Sequence, residues 1–153
     1  MMKPVVNDRN FDAENQHWIS VRIYYEDTDF TGMVYHANYL KFFERGRSDH
    51  LRDAGVSHQS LLNRPDPAAF TIIRAEVDYK NAAKVDDVLW ISTRYLGTKG
   101  ARIFFEQTAL RETHVIAEAK ITAVAIHADG RARKPLPEIV EQLNPVIYLP
   151  TES

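Results

Sequence analysis

Residues 24–55, YYEDTDFTGMVYHANYLKFFERGRSDHLRDAG, join an acidic turn to a long apolar helix. From about Asn38 to Ala54 the bulky positions 39/40, 43, 46/47, 50/51 and 54 recur at the helical period. Tyr39, Leu40, Phe42 and Phe43 together span a wide apolar arc, which predicts burial on more than one side. Gly55 is placed to stop the helix as its C′ residue. Ahead of the helix, Glu26-Asp27-Thr28-Asp29-Phe30-Thr31-Gly32 brings carboxylates close to a helix N-terminus. Such an end carries unpaired backbone N–H groups and partial positive charge, so it can hold an anion or a polarised carbonyl oxygen.

Outward from this stretch the pattern changes to strands. Before it, Ile19, Val21, Ile23 and Tyr25 alternate with Ser20, Arg22 and Tyr24, the period of a half-buried strand. After it, residues 56–69 read as a loop with a short helical turn at 57–62. Four further strands are predicted. Ile73, Ala75, Val77 and Tyr79 mark the first, Leu89, Ile91, Thr93 and Tyr95 the second. A turn at Gly97-Thr98-Lys99-Gly100 leads to a hairpin partner over 102–112, and the last strand covers 115–127. Its Ala117, Ala119, Ala123 and Ala125 share one face, where small side chains let a helix lie close. Asp129-Gly130 ends the strand, and a short helix near 138–143 is expected on the surface. One long helix followed by four strands on tight turns is best buried by curling an antiparallel sheet around the helix.

With 153 residues, the chain is read as one domain over 17–145, with a mobile N-terminal arm over 1–16 and a tail over 146–153. A net charge of −2 lacks the basic excess of a general nucleic-acid binder. There is no cysteine, which excludes disulfides, thiolate metal sites and a Cys nucleophile. No apolar run reaches the ~18 residues of a membrane span and no signal-peptide core opens the chain, so the cytoplasm is the expected location.

The string Y-x-D-T-D-x-x-G-x-V-Y-H-x-x-Y-L-x-x-x-E-x-x-R, from Tyr25 to Arg47, resembles the signature of the 4-hydroxybenzoyl-CoA thioesterase-like hotdog proteins. Within them it is most similar to the Tol-Pal-associated acyl-CoA thioesterase branch, and the likeness covers roughly residues 20–137. The resemblance implies an α+β hotdog fold, with a curved five-stranded antiparallel sheet around one long helix. It further implies an acyl-CoA substrate, no metal or redox cofactor, and a homodimer or homotetramer with sites between subunits. Asp29 occupies the place of the family's catalytic acid. It would act as nucleophile or as base toward a water. The backbone N–H of His36 or its neighbour would polarise the thioester carbonyl, with Gly32 letting the turn approach the substrate.

Other readings stand beside these. Asp27 and Asp29 are also residues that cap turns, and the His36 imidazole either orients Asp29 or serves as a structural hydrogen-bonder. A calcium loop is excluded because its twelfth position is Asn38, where a bidentate Glu is required. Glu44 is a candidate general base; three residues from Arg47, it is equally placed for an intrahelical ion pair. Tyr35 is grouped with the catalytic residues, and Tyr35, Tyr39 and Phe42 are candidates to line an acyl pocket. Arg131, Arg133 and Lys134 form the one compact basic cluster, able to hold CoA phosphates or to be ordinary solvated surface. A hotdog hydratase or dehydratase using Asp29 and His36, and a non-catalytic acyl-CoA-binding module, are the competing functions.

Overall fold

A computed structural model describes residues 3–150 of the chain. Strand β1 (His17–Arg22) leads through a 3-10 turn at Tyr25–Asp27 to helix α1 (Asn38–Asp53) and the short helix α2 (His58–Leu62). Strands β2 (Ala68–Tyr79), β3 (Val88–Lys99), β4 (Arg102–Arg111) and β5 (His114–His127) follow, then the two-residue β6 (Ala132–Arg133) and helix α3 (Pro137–Leu143). All pairings between these strands are antiparallel, in the order β1-β3-β4-β5-β2, with β6 added beside β5. This is the expected hotdog arrangement with a sixth, very short strand.

Helix α1 lies across β1 and β3 and buries Tyr39, Phe42, Phe43, Gly46, His50 and Leu51. Each fully buried Phe contributes about 2 kcal/mol by leaving water. Leu40 is 44% exposed, so the buried arc is narrower than the run of bulky residues predicts. Ser57 caps α2 by accepting from the Ser60 N–H, and Gly55, at φ +101°, reverses the chain after α1. The alanine face of β5 is buried as expected, but the close approach of helix to sheet is documented at Gly46. A Cβ added there would lie 2.8 Å from Thr93 Oγ1 and 2.9 Å from Gln107 Nε2, so those side chains, which hydrogen-bond each other, would have to shift.

Several expectations change. The first strand ends at Arg22, and Tyr25 sits exposed in the 3-10 turn. Strand β2 is longer than predicted and lacks a buried face along most of its length: Ile73, for example, is 49% exposed. The reason is topological, since β2 is an edge strand far from the sheet region that α1 covers. Strand β3 continues through Lys99, leaving only Gly100 and Ala101 between paired residues Lys99 and Arg102. Helix α3 contributes Ile139 and Leu143 to the core rather than lying on the surface.

Residues 7–16 also differ from the mobile arm predicted by their polarity. Phe11 is 3% exposed, and Asp12 Oδ1 accepts from the Glu14 and Gln16 N–H groups while Oδ2 accepts from Trp18 Nε1 at 2.9 Å. The far end of the chain is tied to the same region. Tyr148 N–H donates to Tyr95 O at 2.9 Å, Leu149 N–H to Glu14 O at 3.0 Å, and Asn15 Nδ2 to Ile147 O at 2.9 Å. The C-terminal segment thereby satisfies β3 beyond the reach of β1, whose pairing stops at Thr93. Residues 1–2 and 151–153 of the two predicted terminal segments lie outside the described residues.

Candidate active site

The acidic turn is a closed structure. Thr28 bridges Val34, Asp29 N–H donates to Met33 O at 3.0 Å, and Gly32 N–H returns to Asp29 O at 3.0 Å. Gly32 takes φ +82°, which a side chain would strain. The two acids have different duties. Asp27 is structural: its Oδ2 accepts from Tyr24 N–H at 2.9 Å, and its backbone O accepts from Tyr35 N–H at 3.0 Å and Asn38 Nδ2 at 2.8 Å. Asp29 is fully exposed, and its Oδ1 accepts from Thr31 Oγ1 at 2.5 Å and Thr31 N–H at 2.8 Å. Those bonds leave Asp29 Oδ2 without a protein partner among the described residues.

The Thr31 hydroxyl, then its N–H, hold the Asp29 carboxyl below the usual carboxylate range, with the nearby His36 adding a smaller effect in the same direction. Asp29 is therefore ionised at neutral pH. It is a turn-capping residue with Oδ1 and an available carboxylate oxygen with Oδ2.

Helix α1 starts immediately after this turn. Asn38 N–H bonds Tyr35 O at 2.9 Å, Tyr39 N–H bonds His36 O at 3.3 Å, and Leu40 N–H bonds Ala37 O at 3.2 Å. Upstream of them, the N–H groups of His36 and Ala37 have no acceptor among the described residues, and no side chain caps the helix. Two adjacent donors at the positive end of a 16-residue helix are thus left open beside the Asp29 turn. The Asn38 bond to Asp27 O fixes the helix start relative to the acid. Tyr35 and His36 are both exposed, their rings 4.6 Å apart.

The remaining predicted residues divide. Tyr39 is buried beneath the turn, its ring 5.7 Å from Tyr79 and 5.9 Å from Phe42, and burial pushes its hydroxyl pKa up. Phe42 is likewise core. Glu44 is exposed and lies six residues along α1 from Asn38, about 9 Å at the helical rise. It does not pair with Arg47, which instead donates to Gln107 Oε1 at 3.0 Å; Gln107 Nε2 in turn donates to Phe43 O and Thr93 Oγ1. Glu44 is on the rim of a cavity of about 290 Å³ between α1, α2 and β2, with Leu51, Leu61 and Phe70 in its walls.

The basic cluster is partly neutralised. Arg131 Nε pairs with Asp129 Oδ2 at 2.7 Å and Arg133 Nη1 with Asp66 Oδ2 at 2.9 Å, while Lys134 is exposed and unpaired among the described residues. Within one protomer the cluster sits by the start of β2, whereas the Asp29 turn sits by its end, about 35 Å away at the strand rise.

Some of the site's framework was absent from the sequence reading. Tyr79, at the end of β2, donates its hydroxyl to His36 O at 3.1 Å. Val34 N–H bonds Ala83 O at 2.8 Å, and Arg111 Nη1 clamps that β2–β3 loop through Ala82 O and Asp87 Oδ2, both at 2.9 Å. These residues come from three distant stretches, so no local spacing signals them. Thr31, two residues after Asp29, is the one whose role is legible as turn chemistry. No group of three or more His, Cys, Asp or Glu among the described residues is arranged to hold a metal ion.

A sequence model of the thioesterase-like superfamily matches residues 23–143, spanning the turn, α1 and every long strand after it. The acyl-CoA thioesterase YbgC of Haemophilus influenzae is 42% identical over 113 residues, 74% of this chain and 82% of that protein. A solved structure of a "probable thioesterase" from Bartonella henselae is 37% identical and superposes with a TM-score of 0.76, covering 79% of this chain and 99% of that one. The solved 4-hydroxybenzoyl-CoA thioesterase, complexed with 4-hydroxybenzoyl-CoA, is 20% identical with a TM-score of 0.76 over 84% of this chain and 98% of that one, a likeness of fold. With an exposed carboxylate beside two open helix-terminal donors, and with this coverage of sequence and fold, the chain belongs to the thioesterase-like superfamily of hotdog proteins.

Proposed function

We propose that this protein hydrolyses the thioester of acyl-CoA, taking R–CO–S–CoA and water to a carboxylic acid and free CoA, with Asp29 and the start of α1 as the reacting centre. The observation that carries this reading is the Oδ2 of an ionised Asp29, free among the described residues, near the His36 and Ala37 N–H groups, which likewise have no acceptor among them. Oδ2 attacks the carbonyl carbon or takes a proton from the attacking water. The carbonyl oxygen becomes an oxyanion held by the two N–H groups, a contribution of order 3 kcal/mol per donor. Collapse expels the CoA sulfur as a thiolate, giving the acid directly when water attacks or, when Oδ2 attacks, a mixed anhydride with Asp29 that a water then hydrolyses to the acid and the free Asp29 carboxylate. A thiolate is a far more stable anion than an alkoxide, as the ordinary cysteine pKa of about 8.5 illustrates, so it leaves without a strong general acid. The His36 imidazole is accordingly not required as a proton donor. Solvent ¹⁸O found in Asp29 after a single turnover would identify the anhydride route.

The direct test measures CoA release, double-bond hydration and ligand binding in parallel over a panel of short, long and aromatic acyl-CoA substrates. Release of CoA with no hydration is expected. Binding with neither reaction would make the protein a sensing module, and hydration would make it a hydratase. The absence of cysteine suits a reducing compartment, and the cytoplasm is the location we propose.

The protein is further proposed to act as a homodimer or a tetramer of dimers through β2. The edge of β2 away from β5 is unpaired and carries exposed Ile72 and Ile73, which invites addition of another strand. A two-fold axis through the middle of β2 would pair it antiparallel with its own copy. The Asp66 and Arg133 end of one protomer would then lie beside the Tyr79 and His36 end of the other. This brings the basic cluster to the second copy's catalytic turn, where it would hold CoA phosphates. Neutralising Arg131 and Lys134 should raise KM for acyl-CoA several-fold with kcat nearly unchanged, because remote phosphate contacts stabilise ground and transition states alike. The increase should shrink with salt and vanish for a thioester lacking the nucleotide. An unchanged KM at low salt, or a fully active monomer in sedimentation, would refute this assembly.

A further inference from the structure

The Tyr79 hydroxyl lies on the back of the peptide whose front is proposed to bind the oxyanion, and it is not part of any motif noted in the sequence. It donates to His36 O at 3.1 Å, whereas the competing helical bond from Tyr39 N–H to the same oxygen is longer, at 3.3 Å. A trans peptide is planar, with its C=O and N–H pointing in opposite directions. Whatever fixes the direction of the His36 carbonyl therefore fixes the direction of the Ala37 N–H. A donor on the carbonyl also polarises the amide, which makes its N–H a better donor.

Tyr79 is itself held firmly. It closes β2 opposite Ala117, and the next residues are pinned to β5: Lys80 and Asn81 N–H both reach Ile116 O, at 2.8 and 3.1 Å, and Asn81 Nδ2 reaches Val115 O at 2.7 Å. Its ring stands edge-on between His36, 6.0 Å away, and Tyr39, 5.7 Å away. The Tyr79 backbone is thus anchored to the sheet, while the carbonyl its hydroxyl holds belongs to the loop that starts α1.

We infer that Tyr79 is a positioning residue of the thioesterase reaction, its hydroxyl orienting and polarising the His36–Ala37 peptide so that the Ala37 N–H is aimed at the carbonyl oxygen of the bound thioester. The inference rests on the proposed hydrolysis at Asp29 and adds to it a determinant contributed by the edge strand.

The test is Tyr79→Phe, which keeps the ring and removes only the hydroxyl. Assayed for CoA release from an acyl-CoA that the wild type hydrolyses, the variant should lose about tenfold in kcat, less than the hundredfold or more for deleting an oxyanion donor outright. KM should stay within about twofold, because a donor that strengthens in the transition state acts on kcat. The same loss should appear with a thioester lacking the nucleotide. The Ala37 amide resonance should shift while melting temperature, sedimentation and the acid limb of the pH profile stay in place. Wild-type kcat in the variant, or a loss confined to KM or accompanied by a matching loss of melting temperature, would overturn the positioning role while leaving the thioesterase reading intact. A wild-type protein that releases no CoA from any substrate would instead overturn that reading, and this inference with it.

Discussion

Asp29→Asn is expected to lower CoA release by at least about a hundredfold in a protein that remains folded, with KM little changed. The amide is nearly isosteric, and its oxygen can still accept from Thr31 N–H and Thr31 Oγ1, so the turn should keep its shape. What disappears is the ionised Oδ2, the oxygen free to attack or to accept a proton. His36→Ala should lose much less, because the proposed role at that position belongs to the backbone N–H. Activity near wild type in a folded Asp29→Asn protein would remove this residue from the chemistry. A loss in His36→Ala as large as that in Asp29→Asn would bring the imidazole in. Because the Asp29 pKa is held below its ordinary value of 3.8, the ionised form that the proposed chemistry needs persists throughout the mildly acidic range. Activity lost on mild acidification must then come from another part of the molecule.

The features legible in the sequence are those whose causes are local. Helix α1 follows from a 3.6-residue apolar period and a stop at Gly55, and the acidic turn follows from Asp, Thr and Gly at fixed offsets. The order of strands follows from alternation and turns. Readings that failed depended on where each element lies in three dimensions. Strand β2 alternates like a half-buried strand, yet it is an edge that the described residues leave exposed along most of its length. Residues 7–16 are polar enough to suggest disorder, but the Phe11 ring in the core, the side chain of Asp12 and the bonds to residues 147–149 tie them to the fold. Glu44 and Arg47 have ion-pair spacing, but Gln107, from β4, supplies a hydrogen-bond acceptor for Arg47 instead. The basic run 131–134 shows no sign in sequence that Asp66, far upstream, takes one of its charges.

The same cause hid His50, which the helical period assigns correctly to the buried face without revealing what burial does to an imidazole. It is fully buried among Phe11, His17, Tyr95 and Phe105, and neither ring nitrogen has a hydrogen-bond partner among the described residues. Burial, helped by the neighbouring His17 and opposed by Asp53, pushes its pKa down to about 3. In the unfolded chain it returns to about 6.5, so between those values the unfolded state binds a proton that the folded state does not. Stability is therefore full above pH 6.5 and falls as the pH drops toward 3. His17 adds in the same direction: its burial outweighs the Asp53 Oδ2 contact at 2.6 Å and the pull of Asp49, and its pKa is lowered. The depressed Asp53 carboxyl matters only at still lower pH. Replacing His50 by Leu removes the largest of these terms. Between pH 7.5 and pH 5 the stability of the variant relative to wild type should rise by about 2 kcal/mol, read from urea unfolding at each pH. Parallel stability curves for the two proteins across that interval would show that His50 does not set the acid limit. Because Phe11 packs against both His50 and His17, with ring centroids 5.2 and 5.0 Å away, wild type at pH 5 should also become cleavable within residues 7–16 before Asp29 begins to protonate.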